Sequence, residues 1–112
     1  MTGQYAVAAR FELVDGRAEE FDALAGWRIG QAAANEPGLV GYAVHRVDGE
    51  PLVRVFYEIY RDEAAFREHR ATAQTAEFGR RAAGLVQGPP RIEFLNVLYS
   101  ANGLAVAADP AR

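Results

Sequence analysis

Histidine, glutamate and tyrosine side chains near the middle of the chain are of the types needed to move a proton to or from a substrate oxygen. His69 falls on the same side of a predicted helix as Ala65 and Phe66, which should turn it toward the interior. Imidazole titrates near neutral pH, so His69 is a candidate general base. Glu58 and Tyr60 lie two residues apart on a predicted strand and therefore share one face. Tyr60 could bind a substrate oxygen, while Glu58 could orient His69 or accept a proton.

Each of these residues also has a purely structural explanation. His69 could lie at the edge of the core with its ring bonded to a backbone carbonyl. Glu58 could form an ion pair with Arg46 or Arg54, and we favour this explanation because hairpin neighbours meet across strands by default. For Tyr60 the functional and structural explanations carry equal weight.

Further side chains could line a cavity for an aromatic ligand. Tyr42 and Arg46 are four residues apart on a predicted strand, so they face the same side, and Arg46 could anchor an anionic ligand or form an ion pair. Aromatic rings on both sides of the predicted gap between sheet and helices would make that cavity flat, although each ring alone is more simply a core residue. These rings belong to Phe56, Tyr60, Phe66 and Phe78.

The composition argues against several classes of protein. The 112 residues suffice for one domain, and a net charge of −3 without a basic stripe argues against nucleic-acid binding. With no cysteine and two histidines, we expect no metal site. The first residues lack the pattern of a signal peptide, and no apolar stretch is long enough to cross a membrane. We therefore expect a cytoplasmic protein that does not bind membranes.

The hydrophobic pattern predicts an α+β fold. Strands are predicted over residues 5–14, 39–47, 52–60 and 91–99, and a long helix over residues 17–35. Its predicted buried stripe consists of Ala18, Phe21, Ala25, Ile29 and Ala32, with Leu24 on the flank. A second helix follows Asp62, and a further short helix is predicted with Thr75 as its N-cap. The order β-α-β-β-α-β indicates a ferredoxin-like domain with a four-stranded antiparallel sheet and helices on one face.

The third predicted strand is apolar on both faces, which predicts a homodimer. One face carries Val53, Val55, Tyr57 and Ile59, and the opposite face is also largely apolar. Helices can cover only one side of the sheet. At roughly 25 cal/mol per Å² of apolar surface, an uncovered second face would forfeit several kcal/mol. A second copy related by two-fold symmetry is the simplest cover.

Two stretches resemble one known family. Residues 36–46 carry the motif E-P-G-x-x-x-Y-x-x-x-R, and residues 57–69 carry Y-E-x-[WY]-x-D-x-x-A-F-x-x-H. The first motif leads into a predicted strand, and the second runs from a strand into a helix. In this order and layout the two motifs resemble those of the antibiotic biosynthesis monooxygenase family, within the dimeric α+β barrel superfamily. The resemblance covers residues 1–99 as one domain. Residues 100–112 are expected to be a tail that is flexible or packs on the partner subunit.

The resemblance implies a pocket between sheet and helices, in which members of the family oxidise quinols or aromatic polyketide phenols with O₂ and no cofactor. The quinone-forming polyketide members carry Asn, Trp and Tyr where this chain has Phe56, Tyr60 and Phe66. The haem-degrading branch needs an Asn on the first strand and a Trp on the third, whereas the tryptophan here, Trp27, lies in the first helix. Haem degradation is therefore not expected.

Three functions are consistent with these residues. The first is a cofactor-independent monooxygenase acting on a small phenolic, quinol or polyketide-like compound, with His69, Tyr60 and Glu58 as catalytic residues. The second is an isomerase or cyclase that moves a proton next to a carbonyl. The third is a non-catalytic dimer that binds an aromatic ligand or serves as an accessory protein. In each case, the residues expected to contact the ligand are Phe56, Phe66, Tyr42, Arg46 and Phe78.

Overall fold

The computed structural model describes residues 3–101. Within this range the chain forms four strands and three helices. In chain order they are β1 (Tyr5–Glu12), α1 (Ala18–Asn35), β2 (Leu39–Val47), β3 (Glu50–Tyr60), α2 (Glu63–Arg70), α3 (Ala73–Ala82) and β4 (Arg91–Asn96). Nearly all of the predicted tail falls outside the described residues. No helix in the described range is long and apolar enough to cross a membrane.

The four strands form one antiparallel sheet in the order β2-β3-β1-β4. The first strand of the chain therefore lies inside the sheet, where it pairs with β3 on one side and β4 on the other. The hairpin between β2 and β3 turns at Asp48 and Gly49, and Gly49 has a positive φ of 78° that glycine adopts without strain. The predicted α+β, ferredoxin-like architecture is confirmed.

The helices pack against one face of the sheet. Ala9 of β1 lies opposite Phe56 of β3, and both belong to a core cluster with Phe21 and Leu24 of α1. At the centre of this cluster the Phe11 ring lies 4.9 Å from the Phe56 ring and 5.4 Å from the Phe21 ring, measured between centroids. A second cluster packs α2 against the other end of the same face.

Several predicted boundaries are wrong, among them the start of the third strand, which is Glu50 rather than residue 52, and the start of the long helix, which is Ala18 rather than residue 17. The first strand ends at Glu12 rather than at residue 14, and Leu13 instead forms an isolated bridge with Val86. The last strand ends at Asn96, because Asn96 pairs with Tyr5 at the start of β1 and no paired β1 residue lies beyond it. The N-cap of α3 is Thr72 rather than Thr75, since the Thr72 hydroxyl accepts a hydrogen bond from the Thr75 backbone N–H.

The buried stripe of α1 contains a charged residue. Phe21, Leu24, Ala25 and Ala32 are buried as predicted, but Arg28, which is only 2% exposed, replaces Ile29. Residue 28 is seven positions after Phe21, so it lies on the same side of the helix two turns later. Arg28 is therefore held inside the protein, where it needs buried partners.

A second buried arginine connects the sheet to the outer side of α1. The Arg54 Nε lies 2.7 Å from Oδ1 of Asp22, and its Nη2 lies 3.0 Å from Oδ2. This two-pronged geometry suits a guanidinium and a carboxylate. The expected pairing of Arg54 with Glu58 is therefore wrong.

Gly38, between α1 and β2, touches α2. A Cβ added at Gly38 would lie 2.5 Å from the Ala65 Cβ, closer than two carbon atoms can approach. We predict that Gly38→Ala lowers the free energy of unfolding by about 1–3 kcal/mol through overpacking, as measured by denaturant unfolding. Gly41→Ala is the matched control, because a Cβ there meets nothing within 4 Å. Equal effects of the two substitutions would contradict this account.

Candidate active site

A cavity of about 220 Å³ lies between the helix-covered face of the sheet and the three helices. We call it the inner cavity. Its apolar wall is formed by strand residues and by aromatic rings, including Phe56, Phe66, Phe78 and Phe94. Its polar lining residues are Arg28, Tyr42, Glu58, His69, Arg70 and Thr75. A cavity with apolar walls and a few polar groups gathered at one end is typical of a ligand site.

Two flanking elements position His69. The side chain of Asp62 caps α2 by accepting a hydrogen bond of 2.9 Å from the Ala65 backbone N–H, which orients the helix. His69 lies in the last turn of α2 and is buried. Its Nδ1 lies 2.7 Å from Oε1 of Glu36, in the segment between α1 and β2. Because a carboxylate can only accept, Nδ1 is the protonated nitrogen and Nε2 carries the free electron pair.

Arg28 reaches the same histidine from α1. Its Nη2 lies 2.8 Å from His69 Nε2 and donates to it, and it also lies 2.6 Å from the Thr75 hydroxyl of α3. Its Nη1 lies 3.5 Å from Oε2 of Glu36. The Glu36 side chain is only 7% exposed, so one buried carboxylate partners both the guanidinium and the imidazole.

Glu58 lies on the opposite side of His69 from Glu36. Its Oε1 accepts a hydrogen bond of 2.6 Å from the Tyr60 hydroxyl and lies 3.5 Å from His69 Nε2. Tyr42 is its direct cross-strand neighbour in β2. The ion pair with Arg46 or Arg54 that we favoured for Glu58 is wrong, because Glu58 pairs with these buried groups instead.

Burial sets the protonation states around the cavity. The pKa of His69 is lowered from its ordinary value chiefly by burial and further by the charge of Arg28, and the hydrogen bond to Glu36 only partly offsets this. The pKa of Glu58 is raised, again chiefly by burial. Burial and the neighbouring Glu58 raise the pKa of both Tyr42 and Tyr60 far above the ordinary phenol value. At neutral pH His69 is therefore a neutral base, and both tyrosines keep their protons.

Six of the eight predicted site residues line the inner cavity: Tyr42, Phe56, Glu58, Phe66, His69 and Phe78. The Tyr60 side chain is completely buried, and its hydroxyl is directed to Glu58. Arg46 lies in a separate hollow of about 280 Å³ with Asp22 and Arg54, on the outer side of α1.

The sequence analysis missed three polar residues of this site. Arg28 has the spacing of a buried helix residue, and this signal was available in the sequence. Glu36 was noted only as part of a helix-ending motif, and Thr75 only as a helix cap. The contacts Glu36–His69, Arg28–His69 and Arg28–Thr75 join residues 33, 41 and 47 positions apart in the chain, which only the fold brings together. In the described part of the chain, no group of three or more His, Cys, Asp and Glu side chains is placed to hold a metal ion.

The fold and the site define an α+β protein of ferredoxin-like type with an aromatic-lined cavity between sheet and helices. The model of the antibiotic biosynthesis monooxygenase family matches residues 4–81, and the chain belongs to this family. No curated protein matches the chain.

Solved structures have the same fold. A candidate antibiotic biosynthesis monooxygenase from Caulobacter crescentus is 26% identical, with a TM-score of 0.83 over 88% of this chain and 92% of that protein. A candidate monooxygenase of the same name from Nitrosomonas europaea is 19% identical, with a TM-score of 0.83 over 91% and 97% of the two chains. A Mycobacterium tuberculosis protein is 24% identical, with a TM-score of 0.81 over 89% and 100%. The last two likenesses are evidence of fold only.

We predict that the pKa of His69 falls further when Glu36 is replaced by glutamine, because the substitution removes the negative charge that favours the protonated ring and leaves only a neutral amide oxygen as acceptor. NMR titration of the His69 ring measures this pKa. Glu68→Gln, which makes the same change at an exposed position of α2, is the control and should leave it unchanged. A rise in the His69 pKa in Glu36→Gln would contradict the assigned pairing.

Proposed function

We propose that this protein is a cofactor-independent monooxygenase that oxidises a small phenol, quinol or aromatic polyketide-like compound with O₂. The observation that carries the proposal is a neutral histidine, paired with a buried carboxylate, in the wall of a cavity lined by aromatic rings. The family of the chain is consistent with this reaction. The substrate itself belongs to the proposal.

The first step is removal of the phenolic proton. The substrate hydroxyl replaces Arg28 as the partner of His69 Nε2 and donates its proton there. Glu36, bonded at Nδ1, stabilises the imidazolium that forms, as a carboxylate does for a catalytic histidine in other enzymes. The displaced Arg28 guanidinium then donates to the new phenolate oxygen, where the negative charge develops.

The second step is oxidation of the anion by O₂. The electron-rich ring carbon para to the phenolate bonds to one oxygen atom, and a proton completes a hydroperoxide. Loss of the ring hydrogen and cleavage of the O–O bond release water and leave a carbonyl at that carbon. One phenol and one O₂ thus yield one quinone and one water, with O₂ as the oxidant.

Glu58 is placed to accept the ring hydrogen in this last step. Its carboxylate lines the inner cavity beside His69, and its raised pKa makes it a stronger base than an exposed glutamate. Tyr60 acts through Glu58 rather than on the substrate, because its hydroxyl is hydrogen-bonded to the Glu58 carboxylate beneath the cavity. It is a positioning residue in this proposal.

Ligand binding without turnover is the second candidate function. Phe56 and Phe66 line the inner cavity at positions where the quinone-forming relatives carry hydrogen-bonding side chains. Fewer polar groups therefore face a substrate in this chain. Binding without oxygen consumption would support this candidate over the monooxygenase.

We also propose that the working form is a homodimer joined through the open face of the sheet. The helices pack on one face, and the opposite face presents apolar side chains of three strands. Tyr57 of β3 and Leu95 of β4 are each 37% exposed there. Arg10 and Glu50 form an ion pair toward one end of this face. A second copy is the occupant because an identical surface matches both the apolar centre and the charged end by two-fold symmetry.

We predict that His69→Ala lowers the turnover number for 1-naphthol, whose carbon para to the hydroxyl carries a hydrogen, by about 10²–10⁴-fold, because the general base is lost. An oxygen electrode measures consumption, corrected for autoxidation without protein. His45→Ala, at the exposed histidine of β2, is the control and should retain full turnover. Undiminished turnover in His69→Ala would refute the proposed mechanism, and wild-type binding without oxygen uptake would replace it by the binding function.

We predict that Tyr57→Glu converts the dimer to monomers at micromolar concentration, because it buries a charge at the centre of the apolar face. Sedimentation velocity measures the mass. Tyr57→Phe keeps the ring and should remain dimeric. A wild-type protein that sediments as a single subunit would refute the dimer.

A further inference from the structure

A second hollow of about 550 Å³ adjoins the inner cavity. We call it the outer cavity. It lies between α3 and the segment that leads into β4. Small residues of α3, Gly79, Ala82 and Ala83, form one wall, and Val86, Pro89 and Pro90 form the other.

The two hollows lie side by side, and we call the pair the groove. They share four lining residues, Phe11, Thr75, Phe78 and Ile92. Ile92 lies on β4, whose helix-side surface is open enough that Ile92 is 45% exposed and Phe94 is 52% exposed. A ligand can therefore extend from one hollow into the other without crossing the core.

The two ends of the groove differ in chemistry. The inner end holds the charged groups, whereas Thr75 is the one polar side chain that lines the outer cavity in the described part of the chain. The Thr75 hydroxyl already binds Arg28 and the His69 carbonyl, so it offers little to a ligand. In the outer cavity, therefore, only apolar groups of a ligand strengthen its binding.

The size of the inner cavity limits what it can hold alone. An apolar cavity of roughly 150 Å³ holds a single benzene ring. At about 220 Å³ the inner cavity accommodates little more than one ring carrying its hydroxyl group. A larger ligand must continue into the outer cavity, where Gly79 and Ala82 of α3 are too small to fill the space.

We infer that the ligand is an elongated, amphipathic aromatic molecule, with an acidic hydroxyl at the Arg28–His69 end and an apolar chain or further ring in the outer cavity. The inference rests on the proposed function only in taking the inner cavity as the ligand site. It adds the class of substrate. The part of the molecule that does not react is apolar, and it strengthens binding through its contacts with the outer cavity.

A series of 4-alkylphenols tests the inference on the full chain. Isothermal titration of phenol, 4-ethylphenol, 4-butylphenol and 4-hexylphenol should give a dissociation constant that falls by about threefold for each added CH₂ group that enters the outer cavity. Gly79→Leu should abolish this gain while leaving the affinity for 4-ethylphenol unchanged. A Cβ at Gly79 meets nothing within 4 Å, and leucine favours the helix, so the variant should fold.

The matched control is Gly30→Leu. Gly30 is an exposed helical glycine of α1, where a Cβ also meets nothing within 4 Å, and it lines neither cavity. This variant should keep the full gain with chain length. Ala83→Leu, further along the same wall of the outer cavity, is a second blocking variant and should act like Gly79→Leu.

The outcomes separate this inference from the proposed function. If short phenols bind but longer chains add nothing, or if Gly79→Leu and Ala83→Leu keep the gain, the inferred substrate class is wrong and the proposed function stands. If the 4-alkylphenols bind with the predicted gain but 1-naphthol, which keeps the para hydrogen that the proposed oxidation removes, is bound without oxygen consumption, the inference is supported and the monooxygenase proposal fails. If no phenol binds at any length, both are overturned.

Discussion

The buried guanidinium of Arg28 is the constraint on which the arrangement of the helices depends. A buried charge costs several kcal/mol unless a partner and hydrogen bonds compensate it. Arg28 obtains this compensation from Glu36 at the end of α1, His69 on α2 and Thr75 on α3. Each partner comes from a different element, so the three helices can cover the sheet only in positions that bring these groups together.

The same cluster sets the protonation states around the inner cavity. His69 is neutral because its surroundings are dry and already contain a cation, and Glu36 fixes which ring nitrogen carries the proton. Glu58 and the two tyrosines are subject to the same low-dielectric environment, which keeps both phenols protonated. A base of this kind needs no separate activating group, since the interactions that hold the helices together also set its protonation state.

The two faces of the sheet have different roles. The helix-side face borders the groove for the ligand, and the opposite face is the surface of the proposed dimer. Its helix-side face is covered over β1, β2 and β3, but β4 extends past the helices and leaves Ile92 and Phe94 half exposed. This gap makes the groove accessible along its length. The opposite face is apolar in its centre, and the proposed dimer would cover it without closing the groove, because the two faces belong to opposite sides of one layer.

The sequence by itself determined the element order, the antiparallel sheet and most of the cavity lining. The alternation of strands, the turn residues and the helical spacing are local signals, and they were sufficient to place His69, Phe56, Phe66 and Phe78 on facing surfaces. The family motifs over residues 36–46 and 57–69 pointed to the same domain. Element ends were less accurate, because they depend on which residues of another strand remain available for pairing.

Only the tertiary structure decided the polar partners. Glu58 had acceptable partners in Arg46 and Arg54 by strand position, yet Arg54 pairs with Asp22 on α1 and Glu58 accepts a hydrogen bond from Tyr60. Arg28 is buried on α1 with Glu36 beside it, a pairing that helical spacing alone does not predict. The physical reason is that a hydrophobic side chain needs only an apolar surface, which a periodic pattern predicts, whereas a buried charge needs one particular atom at about 3 Å, and distant parts of the chain supply that atom.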